Sequence, residues 1–257
     1  MDPYQELQFL NHVQRDVSPE ENLKILFRGA QVAGTDFLPL YIDCLDETGT
    51  RVGTWKTFRR AQRAITLARY FEHSLALEGR RAECGVFRGF SALLMARIAR
   101  LHDGQFLGNG LHAIDSFEGL SPPTEPDALG VDESDHNNPR YVYSHSAGHF
   151  STPVDHIRRV LSDFPEVGVH KGWIPDVFRT LPDSAWSFVH IDVDLYAPTQ
   201  AGLEYFFPRL SPGAVIVNDD FGSPLFPGAG HAWHEFFEAR GLSYLVLDTG
   251  QAIYLHR

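Results

Sequence analysis

Five acids stand where a folded chain could gather them: Glu83, Asp115, Asp192, Asp219 and Asp220. Four of them lie in or close short strand-like runs, at residues 81–85, 111–115, 188–192 and 214–219. Ligands of open α/β sheets sit beyond the carboxyl ends of the strands, so acids at successive strand ends would converge on one crevice. Crowded carboxylates repel, and cations or hydrogen-bond donors must relieve the repulsion. His190-Ile191-Asp192-Val193-Asp194-Leu195-Tyr196, followed by Asn218-Asp219-Asp220 one strand later, is the densest part of this pattern. Adjacent parallel strands would set Asp192 beside Asp219. Neighbouring residues of a strand face opposite ways, so Asp220 joins them only where the chain leaves the sheet, and Phe221-Gly222-Ser223-Pro224 supplies that break. Three converging carboxylates make a site of hard oxygen donors, suited to Mg²⁺ with Mn²⁺ or Ca²⁺ as alternatives.

A second constellation is Glu83-Cys84-Gly85-Val86-Phe87-Arg88-Gly89-Phe90-Ser91. Gly85 and Gly89 would let the backbone pass close to a ligand and let a helix begin against the strand. The spacing is G-x-x-x-G rather than G-x-G-x-x-G. The next strand-end acid, Asp115, comes 30 residues after Gly85, where a dinucleotide site wants an acid after about 20. Both features argue against a nicotinamide dehydrogenase, although Asp115 could still accept hydrogen bonds from two ribose hydroxyls. Asp192-Val193-Asp194 also reads as the D-x-D motif of a metal-dependent glycosyltransferase. Of the thirteen histidines, His231 and His234 have the spacing of a zinc pair, but a partly exposed helix explains them better. His231 or Trp233 could line an acceptor pocket. His190 could be buried support or pocket wall, and Tyr196 packing or an acceptor contact. His136, His145 and His149 fall in a polar loop, where solvated roles are the commoner ones. Nothing near Cys84 marks it as a nucleophile.

The elements that must position these residues follow from periodicity. Residues 1–77 read as helical: Leu7, Leu10 and Val13 at helical spacing, a helix over 21–31 after Ser18-Pro19, and a long one over 56–77, with no compelling strand. This region would be a lid or a subunit contact. From residue 78 strands and helices alternate, with a further strand at 167–171 and helices at 91–101, 153–164, 199–209 and 231–240. That alternation implies an α/β fold with a mostly parallel sheet. Runs at 244–247 and 252–255 around Asp-Thr-Gly-Gln add a terminal antiparallel hairpin. The segment 116–151, rich in Pro, Gly, Asp, Asn and His, is too long for an ordinary connection and reads as a mobile substrate-side loop.

Composition narrows the class. The 257 residues carry a formal charge of −11 and 43% are hydrophobic, enough for a full core and poorly suited to nucleic-acid phosphates. Two cysteines fit a reducing compartment. No apolar run reaches the length of a membrane span, and the opening residues lack the apolar core of a signal peptide. The expectation is a soluble, cytoplasmic protein with neither nucleic acid nor membrane as partner.

Taken in order, ECGVFRGFS, HAIDSFEGL, KGWIPDVF, FVHIDVDLYAPT, RLSPGAVIVNDDF and the terminal hairpin resemble class I S-adenosylmethionine-dependent O-methyltransferases. The chain is most similar to the metal-dependent macrocin O-methyltransferase family of antibiotic-sugar enzymes, from about Thr54 onward. The first motif also resembles its counterpart in catechol O-methyltransferase. The resemblance implies a Rossmann-like class I methyltransferase fold with a seven-stranded sheet, S-adenosylmethionine as cofactor and Mg²⁺ as metal. It places Glu83 and Gly85 at the methionine part of the cofactor and Ser91 near its carboxylate. Asp115 would hold the ribose, with Ser116 beside it, and Gly172-Trp173 would border the adenine. Asp192, shared with the cofactor site, would bind the metal with Asp219 and Asp220, and Asp194 would act as general base. The implied acceptor is a hydroxyl of a sugar or glycosylated natural product, chosen by the loop 122–150, and the implied assembly is a homo-oligomer. A non-catalytic relative with the same fold is the remaining alternative.

Overall fold

The computed structural model describes residues 19–50, 56–132 and 140–257. The expected contributions of Leu7, Leu10, Val13 and His136 lie outside these residues.

The chain opens with helix α1 (Pro19–Leu26), a two-stranded ribbon of β1 (Gln31–Val32) and β2 (Thr35–Asp36), helix α2 (Phe37–Thr48) and helix α3 (Lys56–Ser74). The ribbon corrects the strand-free reading of this region. Its strands are two residues long, below any periodic signal, and Ala33-Gly34 turn the chain with φ of 52° and 71°, as two-residue hairpins require. Helix α1 stops five residues early because Gly29 takes a left-handed conformation. Helix α3 ends at Ser74, where the Arg81 guanidinium donates to the Ser74 and Leu77 carbonyls at 2.8 and 3.3 Å.

The main sheet contains β3 (Arg80–Cys84), β4 (Leu111–Asp115), β7 (Gly168–Lys171), β8 (Trp186–Ile191), β9 (Leu210–Asn218), β10 (Leu245–Val246) and β11 (Ala252–Leu255). A separate ribbon of β5 (Gly130–Asp132) and β6 (Arg140–Val142) lies in the long loop. The sheet order is β10-β11-β9-β8-β3-β4-β7, parallel except for β11, which runs antiparallel to both of its neighbours, β9 and β10. Seven strands and a terminal antiparallel hairpin match the sequence expectation. Successive strands run outward from β3 on one side and from β8 on the other, so the order reverses between them. Such a reversal opens a crevice at the strand ends.

Alternating side chains supply both faces of the sheet with core. Phe188, Val215 and Val217 join one cluster with Phe71 and the first three helices, while Val189, Ile191 and Ile216 join another with Trp233 and Phe237. Every residue of β8 is buried, as expected of a strand covered on both faces. Truncating a fully buried aromatic such as Trp233 would cost about 3–5 kcal/mol. Trp233 therefore belongs to the core, which corrects its reading as an acceptor contact.

Four crossover helices complete the layers: α4 (Phe90–His102), α5 (Val154–Val160), α6 (Tyr196–Phe206) and α7 (Pro227–Glu238). Helix α6 begins three residues before the expected Thr199 because Pro198 is tolerated within a first helical turn. Its N-terminus has no local side-chain cap. Instead the Asp127 carboxylate, from the long loop, accepts the Tyr196 N–H at 2.7 Å.

Candidate active site

The turn after β3 is held from the neighbouring strand. The Asp115 carboxylate accepts the backbone N–H groups of Val86, Phe87 and Phe117 at 2.7, 3.0 and 2.6 Å. Gly85 has φ 87°, and a Cβ there would lie 1.8 Å from the Asp192 carbonyl oxygen. Its lack of a side chain thus lets β3 and β8 close on each other, a backbone-to-backbone need that the sequence did not show. Gly89, with φ 86°, precedes helix α4 without a side-chain cap, leaving first-turn N–H groups suited to an anion.

A cavity of about 860 Å³ runs along these strand ends. Gly85, Ser91, Asp115, Ser116, Gly172 and Trp173 line one part of it; Asp192, Asp194, Asp219 and Asp220 line another. Trp173 is 41% exposed and lines the cavity. Ser116 donates to the Gly119 carbonyl at 2.9 Å and fixes the turn after β4. His145, His149, Phe150 and Phe226 add an aromatic wall, with the His145 and Phe226 rings stacked at 4.7 Å.

Among the described residues, Asp192, Asp219 and Asp220 form the only group of three or more His, Cys, Asp or Glu side chains spaced to share a metal ion; one oxygen from each lies within 4.8 Å of the others. Strand β9 ends at Asn218, so the chain leaves the sheet where convergence demands it. Asn218 Oδ1 accepts the Asp220 N–H at 2.9 Å and shapes that exit. Burial and the Asp219 charge push Asp192 up to about 7. Burial, with Asp192 and Asp219 beside it, raises Asp220 as well. For Asp219 burial acts upward too, but Arg63, His190 and Gln251 outweigh it and hold the carboxyl below its usual range. Asp220 Oδ2 is buried without a hydrogen-bond partner. Two carboxyls biased toward protonation, an orphaned oxygen and an all-oxygen donor set fit a hard divalent cation.

Asp194 sits at φ 62°, with the Leu195 N–H bonded back to the Val193 carbonyl at 2.6 Å. Burial and the charges of Asp220 and Asp219 raise its pKa well above that of a solvated carboxyl.

Glu83 is displaced from its expected place. It is fully buried and does not line the cavity; Oε1 pairs with His190 Nδ1 at 3.1 Å. The register of β3 and β8 sets Glu83 opposite His190, so both side chains share one face. His190 Nε2 lies 3.6 Å from Asp219 Oδ1. Burial alone would lower this imidazole, but the Asp219 and Glu83 carboxylates carry it up to about 10. His190 is therefore both support for Asp219 and part of the cavity wall.

His231 is exposed and does not line the cavity. His234 instead pairs with Tyr244 Oη at 3.0 Å and lies 3.4 Å from Glu238. Tyr196 Oη donates to Glu235 at 2.6 Å and takes no part in the cavity wall. Burial pushes the Cys84 thiol upward, the opposite of nucleophile activation.

Residues 61–254 match the family model of the macrocin-O-methyltransferases (TylF). The chain belongs to this family. Its curated relatives include the 8-demethyl-8-(2,3-dimethoxy-alpha-L-rhamnosyl)-tetracenomycin-C 4'-O-methyltransferase of Streptomyces olivaceus, 29% identical over 54% of this chain and 51% of that protein. The mycinamicin III 3''-O-methyltransferase of Micromonospora griseorubida is 26% identical over 68% of this chain and 67% of that protein. The chain thus spans about half the length of the first relative and two thirds of the second. Among solved structures, a calicheamicin methyltransferase superposes with a TM-score of 0.63 at 17% identity, covering 84% of this chain and 91% of that one. The O-methyltransferase NovP gives 0.62 at 19% identity over 93% and 99%. These two likenesses establish the class I methyltransferase fold. Macrocin-O-methyltransferase membership sets aside the glycosyltransferase reading of Asp192-Val193-Asp194.

Three contributors to this macrocin-O-methyltransferase site escaped the sequence. Arg63 Nη1 donates to Asp219 Oδ2 at 2.9 Å, Gln251 Nε2 donates to Asp219 Oδ1 at 2.7 Å, and Asp127 anchors the loop. Only Arg63 had a local signal: with Arg59 it forms an i, i+4 pair on one helix face, and the Nε of each donates to the Thr249 carbonyl at 3.1 Å.

Proposed function

We propose that the chain is an S-adenosylmethionine-dependent O-methyltransferase that methylates a hydroxyl of a sugar or glycosylated natural product, assisted by Mg²⁺. The observation that carries this reading is the meeting of Asp192, Asp219 and Asp220 beside Asp194, in the same cavity as the Gly85–Gly89 turn. Its family and the names of its curated relatives support the reaction class.

S-adenosylmethionine supplies a sulfonium methyl when bound, and a divalent cation lowers the pKa of a nearby hydroxyl. The residues around them divide the remaining work. Asp115 Oδ2 already accepts two N–H groups, and Oδ1, with one, keeps acceptor capacity for a ribose hydroxyl, while Ser91 and the open N-terminus of α4 suit a carboxylate. The exposed face of Trp173, next to Gly172, suits adenine stacking. Asp192, Asp219 and Asp220 would hold the cation. Asp194 takes the acceptor's proton at a carboxylate oxygen. The aromatic wall of His145, Phe150 and Phe226 would face the acceptor. Residues 1–77 act in this reading as lid or subunit contact; Arg59, Arg60, Arg63, Ala64 and Leu67 of helix α3 line the cavity.

Calorimetry tests the assignment. Micromolar binding of S-adenosylhomocysteine without response to UDP-sugars is expected. The reverse pattern would refute it.

A further inference from the structure

Two basic side chains, Arg63 and His190, stand against the carboxylates that would hold a cation, and Arg63 reaches two of them. Nη1 lies 2.9 Å from Asp219 Oδ2 and 3.8 Å from Asp220 Oδ1, and Nε donates to the Thr249 carbonyl at 3.1 Å. The hairpin turn fastens the arrangement from its far side. Gln251 Nε2 donates to Asp219 Oδ1 at 2.7 Å and to the Arg63 carbonyl at 3.4 Å. Helix α3 and the terminal hairpin therefore meet on Asp219, and both Asp219 oxygens already have donors. Asp220 Oδ2 has none, although it is buried.

We propose that Arg63 is a resident counter-cation of this carboxylate site, and that a divalent cation competes with it for Asp219 and Asp220. The inference rests on the metal reading given above. Its basis is charge and reach. A guanidinium is a planar donor always charged at working pH, and here it bears on two of the three carboxylates that would hold a cation. A dication on those oxygens would lie a few ångströms from a positive charge, in surroundings less polarisable than water, where like charges repel strongly. The Nε bond to Thr249 lets the guanidinium stay tethered while Nη1 leaves Asp219. Arg63 would then offset the charge of Asp219 and keep helix α3 docked when no cation is bound, and would yield when one enters.

Competition and support predict opposite results. Mn²⁺ titration by calorimetry, without acceptor, should show Arg63→Gln binding at least tenfold tighter than wild type. Arg63→Lys, which keeps the charge, should stay within about threefold of wild type. In EDTA, Arg63→Gln should melt below wild type and gain more from Mn²⁺. A second readout needs no variant: adding diamagnetic Mg²⁺ to the wild type should shift the Arg63 Nε–H resonance. Equal or weaker Mn²⁺ binding by Arg63→Gln, or an Arg63 resonance indifferent to Mg²⁺ that binds, would overturn the proposal and leave the metal reading intact. A wild type that binds neither ion would remove the metal reading itself.

Discussion

Gly85 and Asp192 meet backbone to backbone, so closely that a single methyl group on Gly85 would fall 1.8 Å from the Asp192 carbonyl oxygen. The Asp192 N–H in turn donates to the Cys84 carbonyl at 2.8 Å. This contact locks together the two strand ends between which the sheet order reverses. Gly85→Ala combines a left-handed backbone with an unavoidable clash, and should destabilise the chain by about 3–4 kcal/mol. Gly104→Ala, with nothing within 4 Å and no positive φ, is the matched control and should be close to neutral. Urea unfolding of the two variants checks this, and similar midpoints would refute the role given to Gly85.

Asp127 is predicted to tie the long loop to helix α6. It is buried; one oxygen accepts the Tyr196 N–H, and the other accepts the Thr124 N–H and hydroxyl at 2.7 and 2.9 Å. Asp127→Ala should cost about 1–2 kcal/mol through the lost cap and the unpaired donors. It should also speed proteolysis within 116–151, whereas Asp127→Asn, which keeps an acceptor, should lose less. Unchanged proteolysis in the alanine variant would count against the anchor.

A polar chain at the other end of the sheet makes a pH prediction. The Arg80 guanidinium donates to His112 Nε2 at 3.2 Å, which leaves the His112 Nδ1 proton to bond His170 Nε2 at 3.0 Å; His170 Nδ1 in turn meets Thr180 at 2.9 Å. Burial, then the charges of His170 and Arg80, lower His112 to about 4. The unfolded chain therefore takes up this proton first as pH falls. The stabilising contribution is whole above the ordinary value near 6.5 and is lost between there and about 4, amounting to about 1–2 kcal/mol after allowance for partial exposure. Comparing wild type with His112→Gln across pH 4–7 isolates it; parallel stability curves would contradict it.

Asp194→Asn should lower kcat by about a hundredfold or more, the usual weight of a general base, while S-adenosylhomocysteine affinity stays within a few-fold. Isothermal titration beside steady-state kinetics separates the two. Collapse of cofactor affinity would make Asp194 a binding residue instead.

What the sequence revealed was local. Strand-end acids and alternating apolar residues identified β4 to the residue and β3, β7, β8 and β9 to within a few. Asp192, Asp219 and Asp220 were legible because Phe221-Gly222-Ser223-Pro224 announces the exit from the sheet. Long-range partners were not. Asp127 lies 69 positions from the N–H it caps, and Arg63 lies 156 from Asp219; no periodicity spans such gaps. Glu83 was misplaced for the same reason: which way it faces matters only once β8 is known to pair with β3 and to bring His190 opposite it. The ribbon at Gln31–Asp36 was too short to show any alternation.

Methyl transfer to a panel of glycosides, followed by mass spectrometry, tests the central claim most directly. With S-adenosylmethionine and Mg²⁺, at least one glycoside should gain the mass of one CH₂, excess EDTA should abolish the gain, and Mg²⁺ in excess of the chelator should restore it. A gain indifferent to EDTA would contradict the role given to Asp192, Asp219 and Asp220, and no gain across the panel from a protein that does not bind S-adenosylhomocysteine would contradict methyl transfer itself.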